Sequence, residues 1–329
     1  MKLSLEELAA GVVRGDRRSI GRAITAVEDG SRLSWQLLKT LSPHIGSALR
    51  VGLTGPPGAG KSTLAGALVR ELRSRDLTVG VIAVDPSSPF SGGALLGDRV
   101  RMLRATEDTE VFVRSMASRG CLGGLARTTQ EAADILDAAG KDIILFETVG
   151  VGQSELTVAS ASDLTVVVMV PEAGGMVQAM KAGLMEIADL FVVNKADRPG
   201  AEEMEFQLQD ASRYLISDGR RPPVLLTSAI KEEGIAELAD EVLAYQQWLQ
   251  EGDRKEKKRR DQAKTRLKEL VRSALEENFW SQVEVSEALE AAAGEYRKGD
   301  SSLAEVAQEF WVSVRDRLTE SNIEGAKGS

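Results

Sequence analysis

The chain contains 329 residues, with a formal net charge of −9, a hydrophobic fraction of 43% and an aromatic fraction of only 4%. This length fits one large domain with extensions or two domains, and the acidic balance argues against general affinity for nucleic acid. The single cysteine, Cys121, excludes an internal disulfide, and the single histidine, His44, argues against a histidine-rich metal store. No apolar run approaches the ~20 residues of a membrane-spanning helix, and residues 1–7 lack the apolar core of a signal peptide. We therefore expect a cytoplasmic protein that binds neither membrane nor nucleic acid.

Residues 1–45 are predicted to form an N-terminal helical extension. Apolar side chains recur there at helical spacing, and Gly30 is a predicted helix stop. The recurring positions are Leu5, Leu8, Ala9, Val12, Ile20, Ile24 and Val27.

Residues 46–250 are predicted to form an α/β domain with a doubly wound, mostly parallel sheet. Short apolar runs alternate there with helical segments, and several runs are apolar throughout, as is typical of parallel strands buried on both faces. The predicted strands are Val51–Thr54, Val79–Val84, Val111–Val113, Ile143–Phe146, Leu164–Val170, Leu190–Val193 and Val224–Leu226.

Residues 251–329 are predicted to form a C-terminal helical arm, with helices at 254–277, 283–296 and 301–318. Because this arm lies outside the α/β core, its apolar stripe needs a surface to cover it, and a second copy of the chain is the symmetric solution. Residues 254–272 hold ten basic and three acidic residues, a pattern that favours a solvated helix face, with a docking patch as the alternative.

One short segment matches the P-loop pattern G-x-x-x-x-G-K-[ST] and lies between a predicted strand and a predicted helix, which is the context that the motif requires. In such a loop, backbone N–H groups and the helix N-terminus face a phosphate group. Lys61 is expected to reach the β- and γ-phosphates, and the Ser62 hydroxyl to ligate Mg²⁺. The candidate phosphate-binding residues are Gly55, Pro56, Pro57, Gly58, Ala59, Gly60, Lys61, Ser62 and Thr63.

Two segments downstream favour guanine over adenine. Asn194, Lys195 and Asp197 form an N-K-x-D pattern at a strand end, in which the Asp accepts two hydrogen bonds from guanine. Adenine lacks that pair of donors, so it would leave the carboxylate unsatisfied. The second segment, Ser228, Ala229 and Ile230, follows another predicted strand. The sequence therefore predicts bound GTP or GDP.

Carboxylates that follow two other predicted strands are candidates for holding the metal. Glu147 ends an apolar strand ahead of Gly150, an arrangement in which the acid holds Mg²⁺ and the glycine N–H senses the γ-phosphate. Asp85 follows a further strand and is a second candidate, with a turn acid before Pro86 as the alternative. Catalysis is then expected from positioning a water molecule and neutralising phosphate charge.

Four longer strings resemble the MeaB/ArgK/MMAA family of GTPases that are associated with adenosylcobalamin-dependent methylmalonyl-CoA mutase. They are GLTGPPGAGKST at 52–63, VDPSSPFSGGALLGDR at 84–99, RSMASRG at 114–120 and ETVGVGQSE at 147–155. The second and fourth strings are far more specific than a P-loop alone.

The resemblance implies a homodimer whose arms pack together, slow GTP hydrolysis that the mutase stimulates, and a chaperone that gates cofactor loading and protects the mutase. It makes Asp98 a candidate for positioning the attacking water, and it places Lys181 in an additional switch that reaches nucleotide across the dimer, with a surface helix lysine as the alternative. The chain departs from the family pattern at 172–175, where Glu-Ala-Gly-Gly lacks the usual acid before the next segment.

Three other functions stay open. A nickel-insertase-type metal-delivery GTPase requires cysteine and histidine ligands, of which the chain has one each. A P-loop kinase linked to amino-acid transport requires a site for an acceptor hydroxyl, and no motif indicates one. A targeting GTPase acting on RNA or membrane would use the basic stretch. The sequence also leaves open which acyl-CoA mutase is served, the methylmalonyl, ethylmalonyl or isobutyryl enzyme.

Overall fold

The computed structural model describes residues 4–85, 108–117, 122–148, 154–171, 183–215, 219–297 and 302–325. These residues include a seven-stranded sheet in which every pairing is parallel, with the strand order β3-β2-β4-β1-β5-β6-β7. The strands are β1 Leu49–Thr54, β2 Val79–Asp85, β3 Val111–Ala117, β4 Ile143–Thr148, β5 Leu164–Met169, β6 Leu190–Val193 and β7 Val224–Leu226. The predicted parallel α/β fold is confirmed.

Helices precede the first strand, connect the strands and continue beyond the last strand. Those up to the last strand are α1 Leu5–Val13, α2 Arg17–Glu28, α3 Arg32–Leu41, α4 Lys61–Ser74, α5 Leu122–Ala138, α6 Ser154–Ala161 and α7 Ala201–Ser212. Those beyond it are α8 Ile235–Gln250, α9 Arg254–Trp280, α10 Val283–Tyr296 and α11 Leu303–Gly325. No helix in the described ranges is long and apolar enough to cross a bilayer.

Both faces of the sheet are covered, which explains why most residues of its strands are apolar. Along β4, Leu145 packs in one cluster with side chains of α4 and α8. Its neighbour Phe146 points the other way and packs with side chains of α5 and the N-terminal helices. A strand buried on both faces cannot alternate polar and apolar residues, because either face would then bury polar groups.

The chain divides into two compact units, Met1–Lys264 and Thr265–Ser329. The first contains the N-terminal helices, the sheet and the beginning of α9. The predicted boundaries after residues 45 and 250 stay a prediction.

The prediction of a solvated face for the basic stretch is wrong for its first turns. Lys255, Lys258 and Arg259 are half-buried and contact the remainder of the first unit. The physical reason is that Asp163 and Asp189 lie beneath α9 and need positive partners.

The second unit contains a cluster of four aromatic residues. The Trp280 and Phe310 rings are stacked, with centroids 6.1 Å apart, and Phe279 contacts Trp311 at the same distance. Trp280 and Trp311 each expose about half of their surface, 51% and 54%.

Candidate nucleotide-binding site

The carboxyl ends of the strands bring the predicted site residues to one edge of the sheet. The P-loop follows β1, and the register places Leu53 of β1 beside Glu147 of β4. Asn194 follows β6, and Ser228 lies two residues beyond β7. In a parallel α/β sheet this edge is where ligands bind.

At two positions of the P-loop, both the positive φ angle and the lack of space for a Cβ atom require glycine. Gly55 has φ 141°, and a Cβ there would lie 2.1 Å from the carbonyl oxygen of Val168. Gly60 has φ 83°, and a Cβ there would lie 2.6 Å from Nδ2 of Asn194. Any other residue would push the loop away from β5 and from the Asn194 side chain. The motif glycines therefore fix the position of the loop.

Lys61 begins α4 and is buried. Its Nζ donates to the carbonyl oxygens of Gly55 and Pro56, at 2.8 and 3.0 Å. The loop backbone thus holds an ammonium group against its own inner surface. A positive charge and a helix N-terminus at the same point attract a phosphate group.

Ser62 and Glu147 form the candidate metal pair. The Ser62 hydroxyl donates to Oε1 of Glu147, which is buried at the end of β4. A hydroxyl and a carboxylate are the hard oxygen donors that Mg²⁺ takes, usually with few protein ligands and the substrate phosphates. In the described ranges no group of three or more His, Cys, Asp or Glu side chains could hold a metal. The Ser62 and Glu147 donor set therefore fits Mg²⁺.

Asn194 joins the phosphate side of the site to the base side. Its side chain is 2% exposed, and Nδ2 donates to the carbonyl oxygen of Ala59 at 2.8 Å. Its Oδ1 accepts from the Ala229 backbone N–H at 3.1 Å and from the Thr227 hydroxyl at 3.3 Å. One buried side-chain amide thus fixes the position of the P-loop relative to the base loop. The N-K-x-D pattern placed Asn194 in the base-binding segment but did not indicate Thr227, whose sequence signal is its position before Ser228.

Asp197 is exposed and is oriented by Ser228. The Ser228 hydroxyl donates to Oδ1 of Asp197 at 2.8 Å, and this hydrogen bond lowers the pKa of the Asp197 carboxyl. The carboxylate is thus held ionised at a fixed position. Lys195 has φ 58°, and Ile230 is 85% exposed on the neighbouring loop.

Several predicted residues are not placed by the described coordinates. Asp98, Gly150 and Lys181 lie outside the described residues. The backbone of Asp85 ends β2 beside Ala117, and its side chain is not described. Their roles stay predictions.

The model of one protein family, described as methylmalonyl-CoA mutase-associated GTPase MeaB, matches residues 20–284. A putative GTPase of Pyrococcus abyssi (strain GE5 / Orsay) is 48% identical over 272 residues, which cover 81% of this chain and 84% of that protein. The mitochondrial methylmalonic aciduria type A homolog of Mus musculus is 36% identical over 294 residues, covering 84% of this chain and 71% of that protein.

A crystal structure of an LAO/AO transport system kinase superposes with a TM-score of 0.76 and 28% identity, covering 96% of this chain and 100% of that one. The fold, the family model and the relatives all agree with the four strings of the sequence. The chain belongs to the MeaB family of methylmalonyl-CoA mutase-associated GTPases.

Proposed function

We propose that this MeaB-family protein binds GTP with Mg²⁺ and hydrolyses it to GDP and phosphate. The observation that carries the proposal is the Asn194 side chain, which links Ala59 of the P-loop to Ala229 of the base loop. The phosphate-binding and base-binding elements therefore belong to one site with a fixed separation.

Asp197 supplies the preference for guanine. Its ionised carboxylate accepts the N1–H and the 2-amino group of guanine, while adenine presents no such pair. Losing a charged, two-point contact costs ~2–4 kcal/mol, which is roughly 30- to 1000-fold in affinity.

Lys61, Ser62 and Glu147 act on the phosphates. Lys61 and the start of α4 place positive charge at the β- and γ-phosphates, so that charge developing on the leaving group is neutralised. Ser62 and Glu147 would hold Mg²⁺, which adds positive charge at the phosphate oxygens. Asp98 is proposed to orient the attacking water, and Gly150 and Lys181 to contact the phosphates.

The first test is a substitution that should change the preferred base from guanine to xanthine. In Asp197→Asn the carboxylate becomes an amide, which offers an N–H donor to the carbonyl oxygen that xanthine carries in place of the guanine 2-amino group. The variant should lose affinity for GDP and gain affinity for xanthosine diphosphate in calorimetry. Asp210→Asn is the matched control, because Asp210 is an exposed acid on α7 that accepts a hydrogen bond from Arg213. Unchanged GDP affinity in Asp197→Asn would contradict the assignment.

The biological role that we propose is a GTP-driven chaperone, a homodimer that gates adenosylcobalamin loading of an acyl-CoA mutase and protects that enzyme. The names of the family and of the mouse relative support a link to methylmalonyl-CoA metabolism. The assay is GTP turnover with and without purified methylmalonyl-CoA mutase, its isobutyryl homologue and an unrelated cobalamin enzyme. A mutase that orders the catalytic loops should raise the rate well above ~2-fold.

If no mutase binds or changes the rate, the chaperone role fails while GTP hydrolysis stands. The name of the superposed structure keeps a kinase reaction as the alternative. A kinase would transfer the γ-phosphate to an acceptor, whereas free phosphate released in stoichiometric amounts from GTP and water alone supports hydrolysis.

A further inference from the structure

The base loop, residues 228–234, is closed by its own backbone. The N–H of Ser228 donates to the carbonyl oxygen of Glu233 at 3.0 Å, and the N–H of Glu233 donates back to the carbonyl oxygen of Ser228 at 3.2 Å. The Ser228 hydroxyl of this closed loop donates to Asp197. A shift of the loop as a whole therefore moves the group that orients the Asp197 carboxylate.

The backbone of the base loop is strained at Glu232. This residue has φ 60°, in the left-handed region that a residue with a long side chain rarely adopts. Two residues later, a Cβ on Gly234 would lie 2.1 Å from the carbonyl oxygen of Leu226, so the loop returns directly onto the end of β7. A strained residue of this kind keeps its conformation only when its surroundings hold it there. We therefore looked for the contact that holds Glu232.

That contact comes from α4, the helix that begins with the phosphate-binding Lys61. Arg70 donates from Nε and Nη2 to Oε1 of Glu232, at 3.2 and 2.5 Å. Arg75, directly after the end of α4, donates to Oδ1 of Asp240 at 2.5 Å and to the carbonyl oxygen of Ala236 at 3.1 Å. Both of these partners lie on α8, which begins directly after the base loop. Two arginines thus tie α4 to the base loop and to the helix that follows it.

Apolar packing beneath these arginines brings the same elements together. Ala229 is 5% exposed and belongs to one buried cluster with Leu64 and Leu68 of α4 and Leu238 of α8. Apolar contacts of this kind are not directional, so they hold the elements together without fixing how the base loop is turned. The hydrogen-bonded ion pair of Arg70 and Glu232 supplies that direction.

We propose that Arg70 is a positioning residue for guanine recognition, which acts through Glu232 on the base loop and so on the Ser228 hydroxyl that orients Asp197. The inference rests on the proposed function and adds to it a determinant of base specificity on α4. Each step is a contact between described residues: Arg70 with Glu232, Ser228 with Glu233, and Ser228 with Asp197.

The expected effect is a change in base specificity and not a general loss of binding. The side chains of Arg70 and Glu232 are 51% and 61% exposed, so the pair contributes as a surface ion pair does and is screened by salt. Inosine diphosphate is the matched probe, because it carries the phosphates and the N1–H of GDP but lacks the 2-amino group. The ratio of GDP affinity to inosine diphosphate affinity therefore measures the second contact of the Asp197 carboxylate.

The test measures this ratio by calorimetry in the full-length protein, together with the melting temperature. Arg70→Gln removes the charge of one partner, and Glu232→Asn removes that of the other while keeping a residue type that tolerates positive φ. Each variant should lower the ratio roughly two- to five-fold, the range that a surface ion pair allows, with little change in melting temperature. Arg70→Lys keeps the charge and should keep part of the ratio. Raising the salt concentration from about 0.1 M to about 1 M should lower the wild-type ratio toward that of the variants.

Arg213→Gln is the matched control, because Arg213 is 64% exposed and pairs with the exposed Asp210. Its ratio should equal that of the wild type. An unchanged ratio in either Arg70→Gln or Glu232→Asn overturns the proposal, as does an equal loss of affinity for both nucleotides, which indicates a purely structural role. If Arg70→Gln does not fold, Glu232→Asn decides by the same measurements. A wild-type protein that binds GDP no more tightly than ADP refutes the guanine assignment itself, which distinguishes the two failures.

Discussion

The side-chain amide of Asn194 and the backbone carbonyl of Ala59 are joined by a 2.8 Å hydrogen bond between the loop after β6 and the loop after β1. The strands that carry these loops are separated in the sheet by β5. A single side chain thus spans the distance between the two halves of the site.

Asn194→Ala should weaken GDP binding and destabilise the protein together. The change leaves the Ala59 carbonyl and the Ala229 N–H without their side-chain partner, and each buried polar group left unsatisfied costs ~1–3 kcal/mol. Urea unfolding and calorimetry measure both effects. Gln209→Ala is the control, because the exposed side-chain amide of this α7 residue donates to Glu205 at 3.0 Å. A variant with normal stability and GDP affinity would show that the loops hold their register without Asn194.

Glu147→Gln should shift the Mg²⁺ requirement more than the affinity for GDP alone. The amide keeps the size of the side chain and can still contact Ser62, but it lacks the negative charge that a divalent cation needs. The expected result is a Mg²⁺ titration midpoint for GTP hydrolysis raised roughly ten-fold, equivalent to ~1.4 kcal/mol. GDP affinity measured without Mg²⁺ should be unchanged. An unaltered titration midpoint would remove Glu147 from the metal site.

Trp280→Glu and Trp311→Glu should convert a homodimer into a monomer. Both rings are about half exposed, at 51% and 54%, within an aromatic cluster of the second unit, and a charge there opposes burial against a second copy. Light scattering of the full-length protein at micromolar concentration gives the mass. Tyr214→Glu, on a strongly exposed side chain of the first unit, should leave the mass unchanged. A monomeric wild type would refute the predicted dimer.

Ionisation of the Tyr245 hydroxyl should lower the free energy of unfolding at alkaline pH. Burial first and the charge of Asp189 second raise the pKa of its hydroxyl from 10.0 to about 12. Because the folded pKa is the higher one, this contribution is fully present below about pH 10 and is lost as the pH rises toward about pH 12. The loss amounts to at most about 3 kcal/mol.

In Tyr245→Phe that loss should disappear, although the variant starts from a lower stability because two hydrogen bonds, to Asp189 and from Lys258, are missing. Urea unfolding at about pH 9 and about pH 11 compares the two proteins, since this window brackets the unfolded pKa. Equal pH dependence in both would show that Tyr245 does not titrate differently in the folded state.

The strands and the nucleotide loops were predictable from sequence because each depends on a local pattern. β4 begins with four consecutive apolar residues and β5 is apolar except for Thr165, and the P-loop and N-K-x-D segments have fixed spacing next to strands. Asp163 carried no such signal, since an acid before a strand also fits an ordinary turn. Its partner Arg259 lies 96 residues away, and no local pattern joins two charges at that separation.

The reason for glycine at position 52 could not be predicted from the sequence either. A glycine within an apolar strand is compatible with a bulge or with close packing, and only the three-dimensional contact with Ser162 decides between them. Motif spacing therefore predicts the nucleotide edge, while the opposite edge depends on contacts between distant segments.

The ion pair between Asp163 and Arg259 also has a consequence for biosynthesis. During translation the sheet strands emerge first, and the carboxylate of Asp163 has no guanidinium partner from α9 until residue 259 has been made. Burying that charge earlier is unfavourable, so we expect the first unit to reach its final packing only once the beginning of α9 has left the ribosome. Chains interrupted before that point would expose an incompletely closed sheet edge and would be candidates for degradation.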